Sequence, residues 1–353
     1  MRNLASIQKI SAISPIPDAD RIEVATVLGW NVVVGKGEYA PGDLAVYFEI
    51  DSYLPAEDAR FEFLAKSSLR SSPDQGRKKG YRIKTAKLRG VVSQGLLMRP
   101  AVFHELGSGG LAEGRDVTDV LNVVKWDPPE IASGNIVGTP GRPHGVPMTD
   151  ETRLQSIEPI LESFVGKPYY ITLKCDGTSC SAYRYNDSYG VTSREMALTV
   201  PDDPAGDNPY TAVYRSLDMR SKLEKLGRNI AVQGELCGPR IQGNRLGFRE
   251  YRWLVFDAFD LDTRNYASLD ELKEICAALN LEMVPVLEEG EAFPADYTLG
   301  RLLEKADCKY PSGQLAEGIV VRLSANGGLD QENGHALRAS FKVLNNKFLL
   351  KAE

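Results

Sequence analysis

The periodic patterns of the chain break down between Trp126 and Met148, where Pro128, Pro129, Pro140, Pro143 and Pro147 are interleaved with Gly134, Gly138, Gly141 and Gly145. Proline fixes φ and removes a backbone donor, so neither a helix nor a central strand continues across such a stretch. A chain of 353 residues has room for two ordinary domains, and the break says where they divide. The expected organisation is a first domain over 1–125, a linker over 126–148 and a second domain over 149–353.

The two sides of the break differ in pattern. On the first side, Arg21–Leu28 alternates, and Trp30–Val34 and Leu44–Ile50 follow as further strand candidates. Leu28-Gly29, Gly35-Lys36-Gly37 and Ala40-Pro41-Gly42-Asp43 supply turns between them. Tyr81–Leu88 and Gly95–Met98 are later strand candidates. Short strands closed by Gly and Pro turns predict a small barrel, and Pro17-Asp18-Ala19-Asp20-Arg21-Ile22-Glu23 resembles the opening of nucleic-acid-binding OB folds.

Charge sharpens that reading. The net charge is −6, yet positions 60–99 hold Arg60, Lys66, Arg70, Arg77, Lys78, Lys79, Arg82, Lys84, Lys87, Arg89 and Arg99 against only Glu62 and Asp74. A basic segment on an acidic chain is the footprint of a phosphate backbone, with a solvated loop as the bland alternative. Lys78, Lys79, Arg82, Lys84, Lys87 and Arg89 are the candidate nucleic-acid contacts.

Other classes recede. No apolar run is long enough for a membrane helix. Met1–Ile7 lacks an apolar signal core, so a cytoplasmic protein is expected. Cys175, Cys180, Cys237, Cys276 and Cys308 form no C-x-x-C pair, which argues against a zinc site or a disulfide framework. His104, His144 and His335 are too scattered for a histidine metal centre.

Beyond the break, helix and strand mix. Helical spacing is read over Leu154–Phe164, Ala212–Leu226 and Leu269–Leu279, the last with Ser268 as its cap. Strands are read over Tyr169–Leu173, Ile230–Gln233, Trp253–Phe259 and Gly318–Arg322, which gives an α+β class. Lys174 follows one of these strands in Lys174-Cys175-Asp176-Gly177-Thr178-Ser179. A lysine at a strand end before a Gly turn can project its amine into a cleft or lie on a surface turn. To attack phosphorus it must lose its proton, so its pKa has to fall well below the usual ~10.4.

Further charged residues recur in strand contexts: Thr192-Ser193-Arg194-Glu195, Val232-Gln233-Gly234-Glu235-Leu236-Cys237-Gly238, Phe256-Asp257-Ala258-Phe259-Asp260, Glu317-Gly318-Ile319-Val320-Val321-Arg322 and Ser340-Phe341-Lys342-Val343. With the Lys174 segment, and in this order, they resemble the nucleotidyl motifs of the covalent nucleotidyltransferases: RNA ligases, DNA ligases and capping enzymes. The resemblance implies ATP, with Mg²⁺ or Mn²⁺, and Lys174 as the nucleophile that takes AMP. It implies Leu173, Arg194, Glu235, Phe256 and Lys342 at the nucleotide, with Phe259 the other stacking candidate. Asp176 and Glu317 would hold the metal. Thr149-Asp150-Glu151-Thr152-Arg153 resembles the mouth of an RNA-ligase nucleotide pocket.

Only eleven residues follow Lys342, so no trailing OB domain is expected, and the barrel stands in front. That order is similar to the Deinococcus-type RNA ligases, the fifth RNA ligase family. It implies sealing of 3′-OH and 5′-phosphate ends in RNA or an RNA-containing nicked duplex, by a monomer. The chain departs from the family in Lys342-Val343-Leu344, where many relatives carry K-x-K; Lys347 is the candidate for the missing charge. A DNA ligase and a non-catalytic RNA-binding protein on a ligase fold are the alternatives.

Overall fold

The computed structural model describes residues 3–71, 79–107, 111–126, 136–324 and 339–352. Two units emerge: Met1–Glu130 with Gln155–Glu158 and Leu349–Glu353, and Ile131–Leu154 with Pro159–Phe348.

In the first unit β1 (Ala5–Pro15) pairs antiparallel with β2 (Ile22–Val27) and, at its other end, with β4 (Leu44–Phe48); β3 (Trp30–Gly35) adds to β2. An irregularity between Ile10 and Ala12 lets β1 change neighbours, as bulges do where a sheet curls. A second small sheet joins β5 (Ser52–Pro55), β6 (Leu69–Ser71), β7 (Lys79–Arg82) and β11 (Val124–Lys125), with α1 (Ala65–Ser68) leading into β6. β8 (Thr85–Leu88) and β9 (Val91–Gln94) form a hairpin, and β10 (Leu96–Met98) returns to β4. Val33 N–H donates to Ser93 Oγ at 2.9 Å, bringing β3 to the hairpin and nearly closing the barrel. Phe48, Phe61 and Phe103 fill its core, with Phe48 edge-on to Phe61 at 5.6 Å. The single strand expected over Tyr81–Leu88 is two, broken at Ile83-Lys84.

The second unit has two antiparallel sheets. The larger runs β12 (Gly138–Pro140), β16 (Met196–Leu198), β15 (Ser188–Thr192), β14 (Thr178–Tyr185), β17 (Ile230–Cys237), β18 (Arg252–Asp260), β19 (Asn265–Tyr266), with β20 (Glu282–Met283) parallel to β18. The smaller runs β21 (Val286–Gly290), β13 (Tyr169–Lys174), β22 (Gly318–Leu323), β23 (Ser340–Leu344). Part of the expected linker is thus sheet: β12 pairs with β16, and Val146 is core.

Helices α2 (Ile160–Phe164), α3 (Pro209–Ser216), α4 (Met219–Leu226), α5 (Leu269–Leu279), α6 (Leu299–Ala306) and α7 (Asn346–Ala352) complete the unit and lead out of it. The helix read over Leu154–Phe164 shrinks to a short turn at Leu154–Ser156 and the five residues of α2, beginning behind Pro159. The helix read over Ala212–Leu226 is two, because Asp218 adopts a left-handed conformation at φ 49°. α5 matches its reading, with Ser268 Oγ accepting from Glu271 N–H.

Candidate active site

The link Cys175-Asp176-Gly177 carries the chain from β13 in the smaller sheet to β14 in the larger. Side chains from both sheets therefore converge there. Lys174 ends β13 opposite Gly318, which sets Glu317, just ahead of β22, beside it. Lys174 Nζ donates to Glu317 Oε2 at 2.8 Å. Lys342 comes from β23, opposite Val320, and Glu235 from β17, opposite Ser179. Gly177 is required: a Cβ there would lie 2.5 Å from Leu236 O and 2.8 Å from Glu235 Cγ. With no side chain in the way, its backbone N–H donates to the Glu235 carboxylate.

These charges shift one another. Burial works against the Lys174 ammonium, but the carboxylates of Glu317, Glu235 and Asp176 outweigh it and hold its pKa above the ordinary lysine value. This reverses the expected fall: the site buries its lysine among anions. Lys342 takes the opposite course, pushed down to about 7 by burial and by the neighbouring Lys174 and Arg153 cations. Burial, with Glu317 and Asp176 adding repulsion, raises Glu235 to about 8 despite the pull of Lys174. Asp176 is also raised, by burial and then Glu317, although Arg245 holds it back. Burial pushes the Cys175, Cys180 and Cys237 thiols far up, so the cysteine next to Lys174 is no competing nucleophile.

The segment Thr149–Arg153 lies along the site. Thr149 Oγ1 and Ser179 Oγ are 2.6 Å apart, and Arg194 clamps Asp150 through Nε at 3.1 Å and Nη2 at 3.0 Å. Glu151 accepts from Ser340 and pairs with the buried Arg322 at 3.2 Å. Lys342 N–H donates to Thr152 O at 2.8 Å. Phe256 is half-buried beside Leu173, Cys175 and Tyr310, with the Arg322 guanidinium carbon 5.7 Å from its ring centre. Leu173 is a core residue whose N–H donates to Pro285 O at 2.9 Å.

Three further candidates have other surroundings. Phe259, the alternative to Phe256, is fully buried edge-on to Tyr266 at 4.8 Å in a different core cluster. Lys347 is two-thirds exposed and paired with Asp307, while Lys342 feels Lys174, Arg153, Glu317 and Asp150. Arg82 faces inward, 2.9 Å from Asp51 and with its guanidinium carbon 5.6 Å from the Trp126 ring centre. Lys79, Lys87 and Arg89 are exposed and Lys84 half-exposed; Lys78 lies outside the described residues.

Sequence reasoning missed two residues that touch the site. Tyr310 hydroxyl donates to Lys174 O at 2.7 Å and accepts from Glu317 N–H at 3.0 Å, joining the ends of β13 and β22. Arg245, in the connection between β17 and β18, pairs with Asp176. Both come from irregular segments, where no periodicity marks a buried or converging side chain. Among the described residues, no group of three or more His, Cys, Asp or Glu is arranged to hold a metal by itself.

This arrangement has known counterparts. A model of the RNA ligase family matches residues 167–344, and an OB-fold domain model matches residues 4–100. Solved structures of Naegleria gruberi RNA ligase are similar over nearly the whole length. An apo point mutant is 32% identical with TM-score 0.86, covering 99% of this chain and 98% of that one. A mutant with ATP and Mn gives the same figures, and one with AMP and Mn is 33% identical with TM-score 0.86, covering 99% of each chain. No curated protein sequence matches.

Proposed function

Because the chain belongs to the RNA ligase family, we propose that it seals RNA 3′-hydroxyl and 5′-phosphate ends with ATP, through an AMP adduct on Lys174. The observation that carries this reading is Lys174 Nζ, 2.8 Å from Glu317 and buried with Glu235 and Asp176. The unprotonated amine attacks the α-phosphorus, an N–P bond forms, the α–β bridging P–O bond breaks, and pyrophosphate leaves. The RNA 5′-phosphate then takes AMP from Lys174. Finally the 3′-hydroxyl attacks that phosphate and AMP departs.

The other residues divide the work. Lys342 stands ready to regain its charge against an α-phosphate oxygen, since an anion there offsets the cations that push it down. Glu235 accepts from a ribose hydroxyl, Phe256 stacks on adenine with Leu173 behind it, and Arg194 meets phosphate. Asp176 and Glu317 suit Mg²⁺ or Mn²⁺: hard oxygen donors whose mutual repulsion a dication relieves. Among the described residues too few protein donors converge to fill its shell, so water would supply the remaining donors, joined by phosphate when nucleotide is bound. When bound, that ion neutralises phosphate charge and draws the carboxylates away from the Lys174 proton.

The barrel ahead of the ligase unit supports assignment to the Deinococcus-type branch, with Lys79, Lys84, Lys87 and Arg89 contacting a nicked duplex that is RNA on its 3′-OH side. We place the enzyme, as a monomer, in the cytoplasm; among the described residues, no helix is long and apolar enough to cross a membrane. The deciding experiment is transfer of label from α-labelled ATP to the protein. Lys174→Ala should take up no AMP and seal nothing, and an intact adduct by mass spectrometry would assign the nucleophile elsewhere.

A further inference from the structure

Both carboxylates assigned to the metal are already occupied by cations of the chain. Glu317 holds the Lys174 ammonium, and Asp176 holds the Arg245 guanidinium. The first pair belongs to the nucleophile. The second has no part in the chemistry proposed above, yet it is built with care.

Arg245 sits in the irregular stretch after β17, where Arg240, Gln242 and Asn244 all adopt positive φ. Asn244 Nδ2 donates to Phe248 O at 2.8 Å while Phe248 N–H donates back to Asn244 Oδ1 at 3.1 Å. Asn244 N–H donates to Ile241 O at 2.8 Å, and Ser312 Oγ donates to Arg245 O at 2.5 Å. The backbone on both sides of Arg245 is thus fixed. Its side chain lies over the Phe348 ring, 4.7 Å from the centre, and reaches Asp176. A casual surface pair has no such support, and a long side chain held at its root and along its length loses little freedom on pairing. Asp176 is nearly buried, whereas Arg245 is 28% exposed, so the guanidinium has a way out to water and the carboxylate does not.

We propose that Arg245 gates the metal site: its guanidinium occupies Asp176 in the empty enzyme, a divalent cation must displace it, and the pair thereby sets how tightly the metal is taken. This rests on the reading that Asp176 belongs to the metal site. A competitor for one ligand weakens metal binding by the strength of the pair it must break, about tenfold for one part-buried ion pair. Arg245 is therefore a positioning residue. The Phe348 ring, by steadying the guanidinium, contributes a smaller share, about threefold.

The test is Mn²⁺ binding to the full-length protein without nucleotide, followed by the electron paramagnetic resonance of free Mn²⁺. Arg245→Met should bind Mn²⁺ about tenfold more tightly, and Arg245→Lys, which keeps the charge, should lie near the wild type. Phe348→Leu, which leaves both charges in place, should tighten binding by about threefold. Asp176→Asn should weaken binding, and adding Arg245→Met to it should change nothing further. A gain that persists without Asp176, or no gain in Arg245→Met, overturns the gate. Loss of ATP affinity with unchanged Mn²⁺ affinity also overturns it, because Arg245 is then a phosphate ligand. If Asp176→Asn leaves Mn²⁺ binding untouched, the metal assignment itself fails, and the gate with it.

Discussion

Glu235→Gln is expected to stabilise the ligand-free protein while impairing the enzyme. Glu235 ionises near pH 4.5 in the unfolded chain and near 8 in the folded one, because it is buried beside Glu317 and Asp176. With its folded pKa raised, the carboxyl favours the native state below pH 4.5 and progressively loses that contribution as the pH rises to 8. At about 1.4 kcal/mol per pH unit, the full loss is about 5 kcal/mol. Glu235 is only partly shielded from solvent, and screening on the open side of the site leaves about 2 kcal/mol. Glutamine has the same shape and no charge to lose. The variant should therefore gain about 1 kcal/mol at pH 5.5 and about 2 kcal/mol at pH 8.5. In thermal denaturation the larger gain raises the midpoint by about 6 °C for a unit of this size. Urea titrations at several pH values give the same quantity isothermally. Equal stability at pH 8.5, or a gain that does not grow with pH, would show that Glu235 is not held against its charge.

Tyr310→Phe leaves Lys174 O and Glu317 N–H without their shared partner; it should lose about 2 kcal/mol of stability and slow AMP uptake with little change in KM for ATP. Urea denaturation and pre-steady-state adenylation measure the two effects separately, and an unaltered adenylation rate would limit the hydroxyl to a structural role. Neutralising Lys84, Lys87 and Arg89 together should lower the salt dependence of RNA binding by about three phosphate contacts and leave AMP uptake intact; an unchanged salt slope removes the β8–β9 hairpin from the RNA interface. Four nicked duplexes varying the sugar on each side should show fast single-turnover sealing wherever the 3′-OH strand ends in ribose. Equal rates on all four point to a DNA ligase.

Local signals in the sequence carried some elements and not others. Helix α5 was legible with its cap because Ser268 and the apolar spacing of Leu269–Leu279 lie within a few residues of one another. The Ala212–Leu226 helix was overextended because its apolar spacing continues through Asp218, where a left-handed residue starts a new axis. Helix α6 has a Thr298 cap and an amphipathic face as clear as any, and it went unread. All three carboxylates near Lys174 lie in the motifs, but the sign of its pKa shift is not legible there. That sign depends on Glu317 and Glu235 arriving 143 and 61 positions later in the chain and outweighing burial. Arg82 illustrates the same limit from the other side. As one of a run of cations it reads as a phosphate contact, and its pairing with Asp51 beside Trp126 is brought about by folding, so no local pattern marks it.

The way β13, β22 and β23 are stitched together also bears on how the protein is made. Lys174 lies on β13, its ion-pair partner precedes β22, and Lys342 is on β23, which pairs with β22 alone within its sheet. A ribosome that has delivered the chain only as far as β22 has made Lys174, Asp176 and Glu317 and every described strand of both sheets but β23, and neither Lys342 nor the edge strand that carries it. If Lys342 meets the α-phosphate as proposed, a chain stopped there should take up little AMP from ATP, so that charging with nucleotide would wait on the last paired strand.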